Sequence, residues 1–461
     1  MIPGPLTQIY LQVLGQPKNK GSLIMKQPTW LLTFSTLWLA LVSFLYPIPH
    51  TVALRDLVLL VGCVVLIWKL KPKFHLPDAR LARTALVILA LLSLWTLVQT
   101  SLFGLMPQQS FSLWHNWLNS IIAMFLGILV GQTSQHDVSH DAATARLVTA
   151  VAAAAIFHLV WLLGYQLWLT VLDQSFWART PFAEKDWHGV ILNFLFALLL
   201  AEAFFRSIWK NKFLLVNTPQ LAILIVATGL ASITIMARIA VIVMVVLIAA
   251  ACLAYVARVR LSRSILFGLA LIAVVTLSMV SWSVIKDKRW SNFLASAKIG
   301  MQIDTYRYWQ EPGRTPLPQT ESGTPVEESA YLRIAWATVA LREIERHPLG
   351  VGFGYKAFGV AVNDHYGLNT LLESSHSGLL DFTLANGLPG IALWLALSVT
   401  LMLLGWRAFA AGSPTGLMLF LFVLGYLVRC ALDGQLSGWR LEWYALVTGL
   451  LTGITLRQQK K

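Results

Sequence analysis

Charged residues are scarce in this chain. Asp, Glu, Lys and Arg make up 12% of the 461 residues, whereas hydrophobic residues make up 57%. A typical soluble domain carries about 25% charged residues, so this scarcity excludes an ordinary soluble protein. The mean hydropathy of +0.67 indicates an integral membrane protein.

Cysteine is also rare. The three cysteines, Cys63, Cys252 and Cys430, all fall within apolar runs, and this placement suggests neither a disulfide framework nor a thiolate metal site. A cleavable signal peptide is not expected, because the first apolar run begins only at Trp30 and no small-residue cleavage site follows a short apolar core. We interpret residues 1–28 as a cytoplasmic tail.

Long apolar runs fill most of the rest of the chain. A helix needs about 20 apolar residues to cross ~30 Å of hydrocarbon, whereas a β-barrel shows short alternating segments. We therefore predict an all-α polytopic membrane protein with about twelve transmembrane helices. The predicted spans are 29–46, 51–70, 84–106, 113–131, 147–172, 189–208, 213–232, 237–257, 263–283, 388–405, 416–432 and 441–456.

Basic residues predict the orientation of these spans. Lys and Arg concentrate on the side of the N-terminus, while the short loops on the other side hold only Arg179, Lys185 and Arg440. This bias places both termini in the cytoplasm. The chain then divides into the N-terminal tail, spans one to nine (29–283), a large extracytoplasmic loop (284–387), spans ten to twelve (388–456) and a cytoplasmic C-terminal tail (457–461).

The net charge of +14 does not indicate nucleic-acid binding. Basic and acidic residues balance between Lys286 and His376, so the surplus lies beside cytoplasmic headgroups, where anionic membrane lipids attract it. No basic stripe with interleaved aromatic residues is present. We expect membrane lipids, and no nucleic acid, as partners of these charges.

The boundary between spans seven and eight is the least regular one. The apolar character from Leu221 to Leu253 is interrupted only by SITIMAR. A tight re-entry at this point would leave Arg238 at the start of span eight, whereas one long tilted helix would bury it. The re-entry is the preferred interpretation.

The large loop is predicted to be helical. The apolar spacing predicts a surface helix over 288–302 and a second helix over 329–346, which His347-Pro348 ends. The sequence LGVGFG follows, and then a short helix around 371–386 that carries His376. A nucleotide site at these glycines lacks the strand–turn–helix context. They are interpreted as a tight connection, with backbone amides offered to a phosphate as the alternative.

Two stretches of this region resemble a known family. The order YLRIAWATVALREIERHPLGVGFGYKAF and then SSHSGLLDFTLANGLPGIALWL is similar to the O-antigen ligase and polymerase superfamily. The resemblance covers 284–405 closely and the twelve-span arrangement more loosely. Relatives usually carry Asn after the histidine, where this chain has Ser377, so a role for that side chain does not carry over.

The resemblance implies both a fold and an activity. It implies a GT-C-like glycosyltransferase in the inner membrane of a Gram-negative bacterium, with its active site in the periplasm. Such enzymes transfer a glycan from undecaprenyl pyrophosphate to an acceptor, which for the ligases is the lipid A-core oligosaccharide. The predicted outward position of the large loop agrees with this expectation.

The chemistry of such a transfer needs few groups. The pyrophosphate is already a good leaving group, so the enzyme must deprotonate an acceptor hydroxyl and bind the departing diphosphate. His376 is the candidate general base, since histidine titrates near neutrality. Arginine matches phosphate oxygens, and the candidates for the pyrophosphate are Arg238, which relatives also carry at this span, Arg289, Arg333 and Arg179. The chain has no D-x-D pattern, so we expect inverting, metal-independent transfer without a cofactor.

Other functions stay open at this stage. An O-antigen polymerase or a protein O-oligosaccharyltransferase would differ from a ligase only in the acceptor, and the single large loop favours the ligase. A non-enzymatic lipid or polysaccharide transporter would be expected to show repeated halves with broken helices. The nineteen tryptophans are assigned to interfacial belts and packing, with Trp290, Trp336 and Trp439 as possible platforms for a sugar ring.

Overall fold

The computed structural model of the protein is almost entirely helical. It describes residues 29–70, 80–133, 140–172, 180, 183, 185–235, 237–259, 262–286, 292–353, 356–368, 372–433 and 436–458. Within these ranges there is no β-strand, and the extended pairings are two isolated bridges, Thr180 with Ala183 and Gln319 with Pro325. The all-α prediction is confirmed.

Twelve of the fifteen helices in the described ranges coincide with the predicted spans. They are α1 (Thr29–Leu45), α2 (Val52–Leu70), α3 (Arg80–Leu102), α4 (Pro107–Thr133), α5 (His140–Val171), α6 (Lys185–Trp209), α7 (Thr218–Thr234), α8 (Arg238–Val256), α9 (Arg263–Lys286), α13 (Gly378–Ala410), α14 (Pro414–Leu432) and α15 (Gly438–Gln458). Eight helices in the described part of the chain are long and apolar enough to cross a membrane, and Trp30–Leu45 and Thr218–Thr234 are shorter apolar helices. The protein is therefore polytopic, and the count of twelve spans stays a prediction.

Close contacts between small residues join α4 to α15. A Cβ atom on Gly127 would lie 2.2 Å from the backbone oxygen of Leu446, and one on Gly449 would lie 2.1 Å from that of Met124. Lipid provides no hydrophobic drive between helices, so close backbone approach at small residues is the usual means of packing them. The two helices are therefore in close backbone contact along this face.

The segment between α9 and α13, which is predicted to be the extramembrane region, contains three helices, α10 (Phe293–Gly300), α11 (Glu328–Arg346) and α12 (Ala357–Tyr366). They enclose a separate apolar core that includes Trp309, Tyr331 and Phe358, all with 1% exposure or less. The second predicted helix agrees with α11 to within one residue. The first was expected over 288–302, but within the described residues it extends only from Phe293 to Gly300.

The short helix expected around 371–386 is present, but it begins later than predicted. Residues 372–377 form a loop, Gly378 begins α13, and the non-helical backbone of Gly387 separates the first part of α13 from the predicted tenth span. The reason is local: the Ser377 side chain accepts the backbone N–H of Leu380 and so caps the helix at this point. His376 therefore lies in the loop that precedes α13.

The Gly-rich turn at residues 348–352 packs against a kink in α13. Gly387 has φ 70°, and Pro389 has no N–H for the carbonyl of Ala385. That carbonyl accepts the N–H of Gly352 at 3.1 Å instead, and the carbonyl of Leu384 accepts that of Val351 at 2.7 Å. The turn thus supplies two hydrogen bonds that the kinked helix lacks, and the interpretation as a tight connection fits better than a phosphate loop.

Candidate active site

His376 lies at the end of the extramembrane region, two residues before α13. Its backbone is in the left-handed region, with φ 60°, and its N–H donates to Ser374 Oγ at 3.0 Å. A non-glycine residue held at positive φ needs support from its surroundings. Contacts with Asp381 and with the carbonyl of Asp433 hold the loop in this geometry.

The carboxylate of Asp381 organises this loop. It accepts the Ser374 hydroxyl at 2.6 Å and the backbone N–H of Ser375 at 2.8 Å. Asp381 lies in the first turn of α13, where the helix dipole favours a negative charge. The backbone N–H of Gly378 donates to the carbonyl of Asp433 at 2.9 Å, so the loop is also attached to the end of α14.

The imidazole of His376 stacks on Trp336 of α11. The ring centroids are 5.2 Å apart and the planes are 21° from parallel. His376 is exposed, yet the protein packed around part of its ring lowers the pKa of His376 from 6.5, and the positive charge of Arg333 lowers it further. Asp433 and Asp186 act in the opposite direction. The ring is consequently neutral at pH 7 and able to accept a proton.

One face of α11 connects the histidine to two of the predicted arginines. Ser329, Arg333 and Trp336 follow one another at intervals of four and three residues, which places them on the same side of a helix. Ser329 Oγ accepts a hydrogen bond from Arg238 Nη2 at 3.3 Å, and Trp336 carries the histidine. Seven residues of helix separate these two contacts by about 10 Å along the axis.

Arg238 is the first residue of α8, as the predicted re-entry requires. Its side chain is 8% exposed, and its Nη2 atom lies 3.9 Å from Glu327 Oε2. Glu327 caps α11 by accepting the N–H of Ala330 at 2.6 Å. The structure therefore brings the guanidinium of Arg238 to the N-terminus of the helix that supports His376, and the contact with Glu327 was not foreseen.

A buried arginine that the sequence analysis missed lies beneath the histidine loop. Arg429, in the last turn of α14, is 1% exposed. Its Nη1 donates to Asn193 Oδ1 at 2.8 Å, and its Nη2 donates to the carbonyl of Asp186 at 3.1 Å and to Asp433 Oδ2 at 3.2 Å. The guanidinium thus links α6 to the residue that holds Gly378. The signal was available, since one arginine interrupts the run LFLFVLGYLVRCAL.

Arg289, Arg179 and Trp290 lie outside the described residues. The structure tests none of the roles assigned to the predicted site residues, so His376 as the base, and Arg238, Arg333, Arg289 and Arg179 as ligands of the pyrophosphate, stay predictions. Within the ranges that the structure describes, no group of three or more His, Cys, Asp or Glu side chains is arranged to hold a metal ion.

Comparison with known proteins supports the resemblance. Residues 222–395 match a family model described as O-antigen ligase, a range that extends from α7 into α13 and contains Arg238, Arg333 and His376. No curated protein matches the chain. The match supports membership of the O-antigen ligase superfamily and an O-antigen ligase- or polymerase-type membrane enzyme.

Proposed function

We propose, from the O-antigen ligase domain matched over residues 222–395, that this protein transfers O-antigen polysaccharide from undecaprenyl pyrophosphate to a hydroxyl of lipid A-core. The reaction would take place on the periplasmic face of a Gram-negative inner membrane. The observation that carries the proposal is His376, a neutral imidazole stacked on Trp336 within the field of Arg333. A base beside a cation suits a reaction with a hydroxyl nucleophile and an anionic leaving group.

In this reaction His376 acts as the general base. It takes the proton of the acceptor hydroxyl as the oxygen attacks the anomeric carbon of the donor glycan. The bond from that carbon to the pyrophosphate oxygen breaks, and its electron pair leaves with undecaprenyl pyrophosphate. A single displacement of this kind inverts the anomeric configuration.

Arginine side chains bind the departing diphosphate. Arg333 lies on the same face of α11 as Trp336, and Arg238 contacts that face one turn further toward its N-terminus. Permanently charged guanidinium groups stabilise the negative charge that grows on the leaving group. Arg289 and Arg179 are further candidates for the same anion. Because cations would serve this purpose, the transfer is proposed to need no metal.

The experiment that tests the function is glycan transfer by the purified protein in vesicles. We expect transfer from undecaprenyl-pyrophosphate-linked glycan to lipid A-core, at the same rate with and without EDTA, and no transfer to protein or to free glycan acceptors. Loss of activity in EDTA would contradict the metal-independent mechanism. Preferred transfer to glycan or protein would instead indicate a polymerase or a protein O-oligosaccharyltransferase, and movement of the donor without bond formation a transporter.

The pH dependence of transfer tests the role of His376 in a second way. A base works only when it is deprotonated, so activity should be retained below pH 6.5 and lost as the pH falls through the lowered pKa of His376. Replacing Arg333 with Gln should move this acid limb to higher pH, because a cation that lowers the pKa is removed. Asp186→Asn should move it to lower pH.

The matched control for this shift is Arg333→Lys, which keeps the positive charge. Its acid limb should remain close to that of the wild type even if its maximal rate falls. The quantity to compare between variants is the pH at which activity is lost on the acid side, and not the maximal rate. An acid limb that stays in place in both Arg333→Gln and Asp186→Asn would show that a group other than His376 titrates.

A further inference from the structure

A cavity of about 340 Å³ lies beside the histidine loop. It is formed where α4, α6, α13 and α15 all begin, so it lies at the same end of the helices as His376. Its volume is within the ~300–1,000 Å³ range of small-molecule sites. The polar and aromatic side chains that line it include Asn116, Trp187, Ser374, Asp381, Trp439 and Arg440.

The aromatic part of this cavity is built from two half-buried tryptophans. The ring centroids of Trp187 and Trp439 are 5.5 Å apart, with the planes tilted by 55°. The guanidinium of Arg440 lies over the Trp439 ring, 5.6 Å from its centroid, which fixes the orientation of that ring. An indole face of this kind offers an apolar platform together with a polar edge.

The charges of the cavity do not suit an anionic ligand. Among the described residues that line the cavity, Asp381 and Glu373 oppose one cation, Arg440, and Glu373 is paired with Lys356 at 2.8 Å. A diphosphate would meet the carboxylate of Asp381 without an excess of positive charge. Hydroxyl groups, in contrast, can donate to carboxylate oxygens and accept from a guanidinium. The lining therefore favours an uncharged ring that carries several hydroxyls.

The position of the cavity relative to the arginines indicates which substrate it serves. Ser374 and Gly378, on either side of His376, both line it, and so does Trp187, which follows Asp186. In contrast, Arg238 contacts α11 and Arg333 belongs to it. In an inverting displacement the nucleophile and the leaving group lie on opposite sides of the anomeric carbon. If the diphosphate binds on the α11 side, the nucleophile therefore approaches from the side of α6 and α15.

We propose that this cavity binds the acceptor sugar whose hydroxyl attacks the donor, with Trp187 and Trp439 as its stacking platform. The inference rests on the proposed function and adds the location of the acceptor. Bound here, the sugar presents its O–H to His376, which takes the proton as the new bond to the anomeric carbon forms and undecaprenyl pyrophosphate departs.

Kinetics of two tryptophan variants test the inference. Trp439→Ala and Trp187→Ala should each raise the KM for lipid A-core about tenfold, as expected for the loss of ~1.4 kcal/mol of stacking, and leave the KM for the donor unchanged. Trp439→Phe should restore most of the affinity. The control is Trp168→Ala, since Trp168 is exposed at the end of α5 and lies away from the cavity. A raised donor KM, or an unchanged acceptor KM, would overturn the proposal.

A binding measurement separates this inference from the proposed function. Binding of lipid A-core to the His376→Gly variant, followed without donor by tryptophan fluorescence, should be saturable and weakened about tenfold by adding Trp439→Ala. Equal affinity with and without Trp439 would reject the cavity even if the wild type performs the transfer. Binding that depends on Trp439, in a wild type unable to transfer glycan to lipid A-core, would instead reject the ligase function.

Discussion

Replacing His376 with Gly is expected to reduce glycan transfer by about 10²–10⁴-fold, the usual contribution of a positioned general base. Glycine is the sharpest choice because His376 has φ 60°, a conformation that glycine adopts without strain. The variant loses the imidazole and keeps the loop, which is held by Asp381 and by the carbonyl of Asp433. Transfer is measured in vesicles, with size-exclusion chromatography as the test of folding.

Two comparisons make this result specific. Free imidazole added to His376→Gly should restore part of the rate, because the space left beside Trp336 has the shape of the missing ring. His347→Ala removes another histidine of the extramembrane region, at the end of α11, and should retain the wild-type rate. Transfer by His376→Gly within about threefold of the wild type would remove His376 from the reaction.

Replacing Arg429 with Met is expected to destabilise the protein by about 3–5 kcal/mol, the usual cost of removing one partner from a buried ion pair. The substitution removes the guanidinium that donates to the carboxylate of Asp433 and to the amide oxygen of Asn193 in the contact between α14 and α6. Thermal unfolding in detergent measures the loss. Since Asp433 also holds Gly378, the transfer rate should fall together with the stability.

The double variant Arg429→Met with Asp433→Leu separates charge from packing. It removes both partners, which generally costs less than removing one, so it should recover part of the lost stability. The stability of Arg429→Lys should be intermediate, because the ammonium group of lysine lacks the planar fork of donors with which the guanidinium contacts both helices. Arg407→Met is the control, as Arg407 is exposed in the last turn of α13. An unchanged unfolding temperature in Arg429→Met would contradict a structural role.

The helices were largely predictable from the sequence, and the site only partly. Apolar runs have one low-energy solution in a bilayer, so the twelve predicted segments coincide with helices, and the spacing of α11 predicted its extent to within one residue. Arg238 was expected at the start of its helix and is found there. These features depend on residues close together in the chain.

The parts that were missed depend on contacts between distant segments. The link from Arg429 to Asn193 joins residues 236 positions apart, and no local pattern specifies which apolar helices pack together. The helix expected around 371–386 begins only at Gly378 for a different reason. The Ser374 hydroxyl donates to Asp381, and the hydroxyl oxygens of serines 374, 375 and 377 accept nearby backbone N–H groups. This competition with helix formation leaves His376 in a loop.

The turn at residues 348–352 has a consequence for how substrates are exchanged. Its hydrogen bonds reach α13 on both sides of the kink, since Leu388 N–H donates to the carbonyl of Pro348 at 2.8 Å while Leu384 and Ala385 accept from the turn. If the region that contains α10, α11 and α12 moved away from α13, these backbone groups would lose their hydrogen-bond partners at the same time. We therefore expect this region to stay packed against α13, so that the lipid-anchored substrates of the proposed transfer would enter and leave laterally between helices.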